Sequence, residues 1–439
     1  MQLLVGRFHD GGQSHQINRL NDCRDISARE YLTSHSRMGI NYESQLTMRN
    51  EGNLMSSSSQ SSPVVIVGGG AAGLSCALSA AAQGINVVLL EKTAELGGTV
   101  TQALIHSIGG LFDDQGNFLN SGLPVELAER LSQASPHTRK RRIGKTWVLD
   151  VDPGIYTKVI TDWITTTPNI DVSYHSSVTS VSIHAGYIEQ ISITYNGESC
   201  TLRPHALIDT TGNASIVRHI DAELLADGLA LGGFILQLRG ISPNALQFPK
   251  SVALLREIRK AVDNDELPVE CSTLWLDTGV YPDEAYAKFN VTPVDYDANH
   301  MKAVAKRLLT FLQTLPGFTG TFINRHGQLG IRDGGRIKGE YCLTETDIKE
   351  GKRFADVACR ACWPIEHWHP QKGISLEYLP AGHHYDIPLC SLKVAGFTNL
   401  WAAGKCLSAE PRAQASARVA GTCWAMGEAV GKKIFGSSR

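Results

Sequence analysis

The sequence predicts an α/β fold built on an open parallel sheet, with a second α+β layer inserted into it. Three observations support this prediction. At residues 64–92, four β-branched residues, a glycine cluster, an alanine-rich helical pattern and a second apolar run follow one another, which indicates a βαβ unit. Residues 171–209 show apolar alternation between turn residues, which predicts short strands. Residues 230–330 alternate strand-like and helical patterns, which predicts the separate layer.

The glycine cluster of the βαβ unit fits a dinucleotide-binding turn. Gly68 would make the tight turn, Gly70 would let the backbone approach a pyrophosphate, and Gly73 would allow close packing of helix on strand. The following helix, with Ala72 in its first turn, directs unpaired N–H groups and the positive end of its dipole at that pyrophosphate. The alternative is a glycine-rich turn in an ordinary α/β core.

An acidic residue ends the second strand of this unit. Glu91, followed by Lys92, lies where a carboxylate can accept the hydroxyls of an adenosine ribose, and both residues belong to the predicted nucleotide-binding set. The same carboxylate would repel a 2′-phosphate, so we do not expect a phosphorylated nicotinamide to bind there.

The composition is that of an ordinary globular protein. The 439 residues suffice for two cores, with 42% hydrophobic and 19% charged residues. A formal charge of −2 gives no general attraction to nucleic acid or anionic membrane, so we expect a small-molecule substrate and neither of those partners, and leave homo-oligomerisation open. No apolar run approaches the roughly 20 residues that span a bilayer. We therefore expect a cytoplasmic protein with its ten cysteines reduced.

The first 62 residues differ from the rest. They are polar, lack periodic apolar positions and end in a serine-rich run, so we predict a disordered N-terminal extension at 1–62. We hypothesise that the natural start is Met48 or Met55. A transit peptide is an alternative that the six acidic residues before Met55 disfavour.

The segment after the βαβ unit carries a family signature. It contains Leu96-Gly97-Gly98-Thr99 and then a glycine-rich apolar stretch at 103–111. This resembles flavoproteins with a glutathione-reductase-type FAD domain, in which such a segment passes the pyrophosphate and reaches the flavin. The resemblance implies FAD as cofactor, a Rossmann-like FAD-binding domain with the FAD/NAD(P)-binding fold, and cofactor contacts from Gly98 and Thr99.

Two further stretches precede the middle of the chain. Residues 121–165 suggest helices, with Arg139-Lys140-Arg141-Arg142 as a solvated loop. Strands are expected at 178–184, 187–195 and 206–209, and Val178 is placed in the cofactor-binding set.

The last of these strands leads to the sequence Ile208-Asp209-Thr210-Thr211-Gly212-Asn213-Ala214. This is similar to the family's second signature, an apolar pair followed by D-A-T-G-D, and implies cofactor contacts from Thr211 and Gly212. The chain departs from that pattern at Thr210, where alanine is usual, and at Asn213, where an acid is usual.

The middle of the chain predicts the inserted layer. Strands are expected at 233–238, 272–277 and 321–325, and helices at 252–262 and 299–315. We therefore predict a substrate or cap domain at 226–330, between FAD-binding parts at 63–225 and 331–439.

The last hundred residues carry the remaining signatures. Residues 332–344 read R-x-x-x-R-I-x-G-x-Y-x-L-T, residues 387–392 read I-P-x-x-x-L, and residues 399–408 resemble N-L-x-x-A-G-R-x-I-S. Together they resemble a group of uncharacterised FAD-dependent oxidoreductases related to the succinate dehydrogenase and fumarate reductase flavoproteins. The four ordered signatures cover about residues 63–435.

The helical stretch at 413–419, which continues to 427–431, matches the closing helix of that group and implies a cofactor-contacting helix. Gly404, Ala417 and Arg418 are the cofactor contacts that it implies, and a helix that starts near Arg412 would direct its N-terminus at the flavin. The alternative for its small residues is a helix face packed on a sheet.

Five residues are candidates for catalysis. Arg332 and Arg336 have guanidinium forks suited to a carboxylate, and the resemblance places them at the domain junction; a surface salt bridge is the alternative. His106 lies where the chain should run along the isoalloxazine, as a proton donor or acceptor, a covalent flavin link or a packed side chain. His383 and His384 are general acid–base candidates.

Two other patterns are assigned no catalytic role. His367 and His369 together with the histidine pair named above could ligate a metal, but no supporting acid or cysteine spacing is present, so we expect none. The CxxC of Cys359 and Cys362 is interpreted as two buried thiols at a helix end, because the reactive pair of disulfide reductases follows the Leu-Gly-Gly segment.

These features predict an FAD-dependent dehydrogenase or reductase that transfers a hydride between a small organic substrate and flavin N5. A flavin monooxygenase is one alternative, although it would favour an acid after Gly404, where this chain has Lys405. A non-catalytic FAD-binding or RNA-modification subunit is another, although it would favour a basic face with aromatic platforms.

Overall fold

The computed structural model of the protein describes residues 62–195, 197–226, 228, 232–369 and 373–436. The expectations for the N-terminal extension and for a start at Met48 or Met55 fall outside these ranges. The helices are α1 (Ala71–Ala81), α2 (Leu123–Ala134), α3 (Pro153–Thr166), α4 (Ser215–Ile220), α5 (Lys250–Asp263), α6 (Ala298–Gln313), α7 (Glu345–Glu350), α8 (Pro411–Ala417) and α9 (Ala420–Gly436).

The strands of the first half are β1 (Val64–Val67), β2 (Val87–Leu90), β3 (Ser107–Gly109), β4 (Arg139–Ile143), β5 (Thr146–Asp150), β6 (Ile170–Ser173), β7 (Ser176–His184), β8 (Tyr187–Tyr195), β9 (Glu198–Leu202) and β10 (Ala206–Asp209). Those of the second half are β11 (Leu225–Ala226), β12 (Gly232–Arg239), β13 (Trp275–Thr278), β14 (Ala285–Val291), β15 (Phe322–His326), β16 (Gly330–Ile331), β17 (Arg336–Ile337), β18 (Val357–Ala361), β19 (Ile365–His369), β20 (Gly373–Glu377), β21 (Tyr385–Pro388) and β22 (Leu400–Ala402).

A parallel sheet in the order β22-β10-β1-β2-β6 forms the centre of the fold. All four strand pairs in it are parallel. Val67 pairs with both Leu90 and Asp209, and Asp209 pairs with Ala402. The carboxyl ends of these strands therefore lie level at one edge, which is where open α/β sheets bind ligands. The predicted α/β class with a Rossmann-like parallel sheet is confirmed.

Helix α9 packs along α1 through two glycines. A Cβ at Gly427 would lie 2.0 Å from the carbonyl oxygen of Ala72, and one at Gly431 would lie 2.7 Å from that of Cys76. Only glycine permits this approach, because real Cβ atoms do not come so close. Since the contacts advance in the same direction along both helices, the two run parallel, and the first residues of α9 extend beyond the N-terminus of α1.

An antiparallel sheet in the order β13-β14-β12-β15, with β16 also paired to β12, forms the second layer. Helices α5 and α6 bury an apolar face against it, with Ile258 and Leu308 in one core with Phe289. The strand expected from residue 272 begins only at Trp275, because residues 269–273 form a 3₁₀ turn. The exact domain boundaries stay predictions.

Three local expectations were wrong. Residues 139–150 form a β-hairpin, β4–β5, between helices, so the basic cluster lies on an edge strand and not in a loop. Arg141 stabilises that strand, because it pairs with Asp150 on the neighbouring strand β5 and with Asp277 at 3.1 Å. The closing helix is divided into α8 and α9 at Arg418, and the CxxC lies on and after β18, not at a helix end. None of the described helices is both long and apolar enough to cross a membrane.

Candidate functional site

A cavity of about 500 Å³ opens at the carboxyl ends of the parallel strands. Its size is that of a small-molecule or cofactor site. Most of the residues predicted to contact the cofactor line it: Gly68, Gly70, Ala72, Glu91, Lys92, Gly98, Thr99, Val178, Thr211, Gly212, Gly404 and Arg418. The cavity continues to Leu329, Gly330 and Ile331 at the edge of the antiparallel sheet.

The glycine turn leaves the N-terminus of α1 open towards the cavity. Gly70 precedes α1 and no side chain caps the helix. A Cβ at Gly70 would contact only the Cα of Gly98, at 3.9 Å, so the space in front of the helix is free of protein atoms. Backbone N–H groups at such a terminus suit a phosphate. The glycine turn and the N-terminus of α1 therefore fit a dinucleotide.

Gly68 and Gly73 have packing roles. Gly68 has φ +109°, and a Cβ there would lie 2.6 Å from the carbonyl oxygen of Thr210. Gly73 does not line the cavity; a Cβ on it would lie 1.9 Å from the carbonyl oxygen of Gly68. This is the close helix–strand packing for which the third glycine of the turn is needed.

Glu91 also holds the glycine turn, a role that the sequence did not indicate. Its side chain is only 5% exposed. Oε2 accepts a hydrogen bond from the N–H of Gly69 at 2.8 Å, and Oε1 accepts from the N–H and hydroxyl of Thr93 at 2.9 and 2.8 Å. The carboxylate therefore fixes the backbone beside the place predicted for the ribose.

The second signature ties β10 to the glycine turn. The hydroxyl of Thr210 lies 2.9 Å from the carbonyl oxygen of Val67 and 2.8 Å from that of Gly68, which gives a reason for threonine where the family usually has alanine. Burial raises the pKa of the Asp209 carboxyl. Its Oδ2 accepts hydrogen bonds from two backbone N–H groups at the start of α4, so this acid holds the loop and does not face the cavity.

Two basic side chains, Lys405 and Arg418, lie on the cavity wall. Lys405 donates from Nζ to the carbonyl oxygen of Ile331 at 2.7 Å, and burial lowers its pKa. Its Cε would lie 2.8 Å from a Cβ at Gly212, so this glycine leaves room for the lysine. Arg418 also lines the cavity and caps the C-terminus of α8, two residues before α9 begins. Sequence reasoning did not place Lys405 in the site, although its position directly after Gly404 was a usable signal.

The helix that reaches the cavity is α9 and not the one predicted to start near Arg412. Ala420 and Cys423 of α9 line the cavity together with Arg418. Ala417, at the end of α8, is fully buried and does not line it. Arg412 pairs instead with Glu345 at 2.8 Å and with Glu377.

The two candidate arginines have different surroundings. Arg336 is buried, pairs with Asp333 at 3.2 Å and donates to the carbonyl oxygen of Ala409. Arg332 donates from Nη1 to the carbonyl oxygen of Gly232 at 2.6 Å and lies over the ring of Trp368, 4.0 Å from its centroid. Arg332 directly follows the cavity residue Ile331 in the chain but does not itself line the cavity.

His106 is buried outside the cavity lining. It stacks on Tyr286 with ring centroids 3.7 Å apart and an interplanar angle of 8°. Its Nε2 lies 3.3 Å from Oδ2 of Asp277, outside hydrogen-bond geometry. Burial lowers the pKa of His106, so the neutral ring is favoured. Direct contact with a ligand in the cavity would require His106 to move.

The histidine pair lies away from the cavity. His383 Nε2 is 3.0 Å from the carbonyl oxygen of Ile348, and the side chain borders a separate pocket of about 380 Å³. Burial, followed by the charge of Arg353, lowers the pKa of His384. Among the described residues, no three histidine, cysteine or acidic side chains are grouped as metal ligands.

The CxxC has the properties of packed thiols. Cys359 is buried, and the Sγ of Cys362 lies 3.4 Å from the carbonyl oxygen of Phe112. Burial raises the pKa of Cys362 to about 12 and also raises that of Cys359. Both thiols are therefore protonated near neutral pH, which disfavours a redox role.

Solved structures offer only distant similarities. A geranylgeranyl bacteriochlorophyll reductase-like protein from Thermoplasma acidophilum aligns at 14% identity and TM-score 0.45, over 84% of this chain and 76% of its own. A p-nitrophenol 4-monooxygenase from Pseudomonas putida aligns at 14% identity and TM-score 0.38, over 64% and 70%. A probable FAD-dependent monooxygenase from Pseudomonas aeruginosa aligns at 11% identity and TM-score 0.38, over 82% and 83%. These TM-scores are too low to support a conclusion about the reaction.

The family comparison is more informative. No curated protein matches the sequence significantly. A family model described as FAD dependent oxidoreductase matches residues 63–227 and 240–434, which include the whole parallel sheet and the cavity wall. Because this match covers well over half of the chain, the protein belongs to the FAD-dependent oxidoreductase family and is an enzyme that uses FAD.

Proposed function

We propose that the protein is a dehydrogenase or reductase that transfers a hydride between a small organic substrate and N5 of FAD. The observation that supports this is the continuity of the cavity from the glycine turn at Gly68 to Gly330 and Ile331 of the antiparallel sheet. An elongated cofactor held at the turn would reach a second layer that can hold a substrate. Bound FAD supplies the atom that accepts or donates the hydride.

The chain's own residues would divide the binding between the two ends of the cavity. At one end, the N-terminus of α1 and the open space before Gly70 suit the pyrophosphate, with Glu91 fixing the turn. At the other end, Lys405, Arg418 and the first turn of α9 line the wall. Positive charge and a helix N-terminus there favour the negative charge that reduction brings.

We also propose a closer family relationship, a cellular location and a set of partners for the enzyme. The signatures at 332–344 and 399–408 support a relationship to the succinate dehydrogenase and fumarate reductase flavoproteins with a glutathione-reductase-type domain. The near-neutral charge supports a cytoplasmic enzyme of small molecules with no nucleic-acid or membrane partner.

An anaerobic reduction assay tests the proposal. The purified, FAD-loaded protein is mixed with classes of small organic metabolites in the absence of nicotinamide, and the flavin absorbance at about 450 nm is followed. A metabolite that bleaches this band, with an oxidised product identified by mass spectrometry, is the expected result. Reduction only by NAD(P)H, followed by oxygen insertion into a substrate, would instead identify a monooxygenase. A flavin that no organic donor or nicotinamide reduces would point to a non-catalytic subunit.

A further inference from the structure

The separate pocket that His383 borders lies beside the β4–β5 hairpin, and we call it the hairpin pocket. Its volume is about 380 Å³, which is within the range of small-molecule sites. Three parts of the chain enclose it: the hairpin, residues 112–115 after β3, and the segments 362–364 and 378–383 that flank β19 and β20. The described residues that line it all differ from those that line the cavity at the parallel sheet. The hairpin pocket is therefore a second, separate cavity.

Aromatic rings form the walls of the hairpin pocket. Four aromatic side chains line it: Phe112, Trp147, Trp363 and Tyr378. The indole N–H of Trp147 donates to the carbonyl oxygen of Asp114 at 3.2 Å, which fixes the orientation of the ring. Tyr378 packs against the turn of the hairpin, where a Cβ at Gly144 would overlap the tyrosine hydroxyl. Walls of this kind favour a flat aromatic ligand, because stacked and edge-to-face contacts between aromatic rings are stabilising.

The two acidic residues of the lining already have hydrogen-bond partners in the protein. Oδ1 of Asp113 accepts from the N–H groups of Gln115 and Asn117 at 2.9 and 2.8 Å. Oδ2 of Asp114 accepts from the N–H of Gly382 at 2.8 Å, which connects the loop after β3 to the segment before β21. Backbone donors therefore stabilise the charge of both carboxylates, and the carboxylates hold the walls of the pocket together.

The two basic residues of the lining have no such partners. Arg142 and Lys145 lie near the turn of the hairpin and are exposed. Within the described part of the chain, neither side chain has a hydrogen bond or an ion pair. Their described contacts are with aromatic rings: the guanidinium carbon of Arg142 is 5.9 Å from the ring centroid of Trp147, and Nζ of Lys145 is 5.4 Å from that of Tyr378. The positive charge at the rim is therefore available to an anionic group whose ring lies in the pocket.

We propose that the hairpin pocket is a second small-molecule site, which binds a planar aromatic ring that carries an anionic group. The aromatic walls contact the ring, and Arg142 and Lys145 contact the anionic group at the rim. An aromatic acid and a nucleotide both have this chemistry. The site goes beyond the proposed hydride transfer and does not depend on it.

Trp363 connects the hairpin pocket to the cavity at the parallel sheet. Its six-membered ring packs against Gly109, so that a Cβ there would overlap the indole. The indole N–H of Trp363 donates to Oε2 of Glu366 at 3.1 Å. Oε1 of Glu366 lies 3.2 Å from Nη2 of Arg418, which lines the other cavity. A ligand that moves the ring of Trp363 should therefore move Arg418 and change the environment of bound FAD.

Isothermal titration calorimetry of the FAD-loaded protein, at low and constant ionic strength, tests the site. The aromatic acids are benzoate and 2-naphthoate, and both should bind saturably. Cyclohexanecarboxylate keeps the charge without the flat ring, benzamide keeps the ring without the charge, and inorganic phosphate is an anion without a ring. Each of these three should bind at least about fivefold more weakly than benzoate. Adenosine monophosphate distinguishes the two sources, because tighter binding than either acid identifies a nucleotide and weaker binding identifies an aromatic acid.

Variants of the hairpin locate the binding. Arg142→Gln and Lys145→Gln change exposed side chains, and each should weaken benzoate binding by about threefold to fivefold. Tyr378→Leu removes part of the aromatic wall and should weaken it as well. Lys158→Gln is the matched control, because it removes an exposed lysine of α3 that belongs to neither described lining. This control should bind benzoate as the wild type does.

The flavin absorption spectrum tests the connection through Trp363. Benzoate should shift the spectrum of the wild-type protein with the Kd that calorimetry gives. Trp363→Phe keeps a ring in the wall and removes the N–H that contacts Glu366, so it should still bind benzoate but lose the shift. If Trp363→Phe does not fold, Glu366→Gln interrupts the next contact and takes its place.

Four results would overturn the inference. The first two are no saturable binding of either aromatic acid, and binding of cyclohexanecarboxylate or phosphate as tight as that of benzoate. The third is an unchanged affinity for benzoate in both Arg142→Gln and Lys145→Gln, which would place the acid elsewhere in the protein. The fourth is a flavin spectrum that benzoate leaves unchanged, which would refute the connection to Arg418. None of these measurements depends on turnover, so failure of the hydride-transfer proposal would be seen separately, in the anaerobic reduction assay.

Discussion

Replacing Gly70 by valine should abolish tight FAD binding while the protein still folds. Gly70 has φ −82° and ψ −174°, extended angles that valine also adopts. Its Cβ would contact only the Cα of Gly98, at 3.9 Å, so the added methyl groups extend into the cavity. Overpacking costs about 1–3 kcal/mol, and the loss of a charge-assisted hydrogen bond costs about 1.5–3 kcal/mol. Together these predict a Kd for FAD that is weaker by roughly 10²- to 10⁴-fold.

The assay is a titration of apoprotein with FAD, followed by the quenching of flavin fluorescence, together with thermal unfolding of the apoprotein. The unfolding free energy of Gly70→Val should differ from that of the wild type by no more than about 1 kcal/mol, because position 70 is the N-cap of α1 and is not packed. Gly73→Ala is the matched control. Its Cβ would lie 1.9 Å from the carbonyl oxygen of Gly68, so it should destabilise the apoprotein itself. A Gly70→Val protein that purifies with a full complement of FAD would refute the assignment of the turn.

Three further predictions use other parts of the chain. Gly427→Ala should lower the free energy of unfolding by about 1–3 kcal/mol in denaturant titrations, because its Cβ would lie 2.0 Å from a backbone oxygen of α1; an unchanged value would contradict the packing of the two helices. At pH 8, iodoacetamide should label the exposed Cys200 first. Cys362 should react about a thousandfold more slowly than an unperturbed thiol, because burial raises the pKa of Cys362 to about 12. Peptide mass mapping measures the labelling rates, and rapid labelling of Cys362 would support a redox role. Although burial opposes it, the charge of Arg418 lowers the pKa of Glu366 in the folded protein, so ionisation of Glu366 stabilises the fold above about pH 4.3 and ceases to do so as the pH falls through the lowered pKa. The difference in unfolding free energy between the wild type and Glu366→Gln should therefore shrink from pH 6 to pH 3 in denaturant titrations, and an equal difference at both pH values would count against this.

The parallel sheet and the glycine turn between β1 and α1 could be predicted from the sequence because their signals are local. β1 has four consecutive β-branched residues, and the glycines that follow have spacing set by backbone geometry within one turn. The hairpin β4–β5 could not be predicted in the same way. Its strand from Arg139 is rich in basic residues, and it is held by Arg141, which pairs with Asp150 on the neighbouring strand and Asp277 in another layer. Such a partner cannot be seen in a local window.

The division between α8 and α9 was missed for a similar reason. Residues 413–431 are rich in small helix-forming residues without a proline or a capping signal, so propensity favours one continuous helix. The break at Arg418 follows from tertiary packing: a Cβ at Gly421 would lie 2.7 Å from the carbonyl oxygen of Gly109, and Gly427 packs on α1. The start of α9 is therefore fixed by contacts with two segments more than 300 residues earlier in the chain.

The same limit separates the dinucleotide motif from the two candidate arginines. Contacts predicted for the dinucleotide depend on short motifs, and most of those residues line one cavity. Arg332 and Arg336 could not be distinguished from the sequence, because each is an arginine in one motif with the same chemistry. Their difference lies in their neighbours, since Arg336 pairs with Asp333 nearby in the chain, whereas Arg332 shares the charge of Glu366 with Arg418. Glu366 lies on β19, more than 30 residues after Arg332, so no local window of the sequence shows the carboxylate that attracts this arginine.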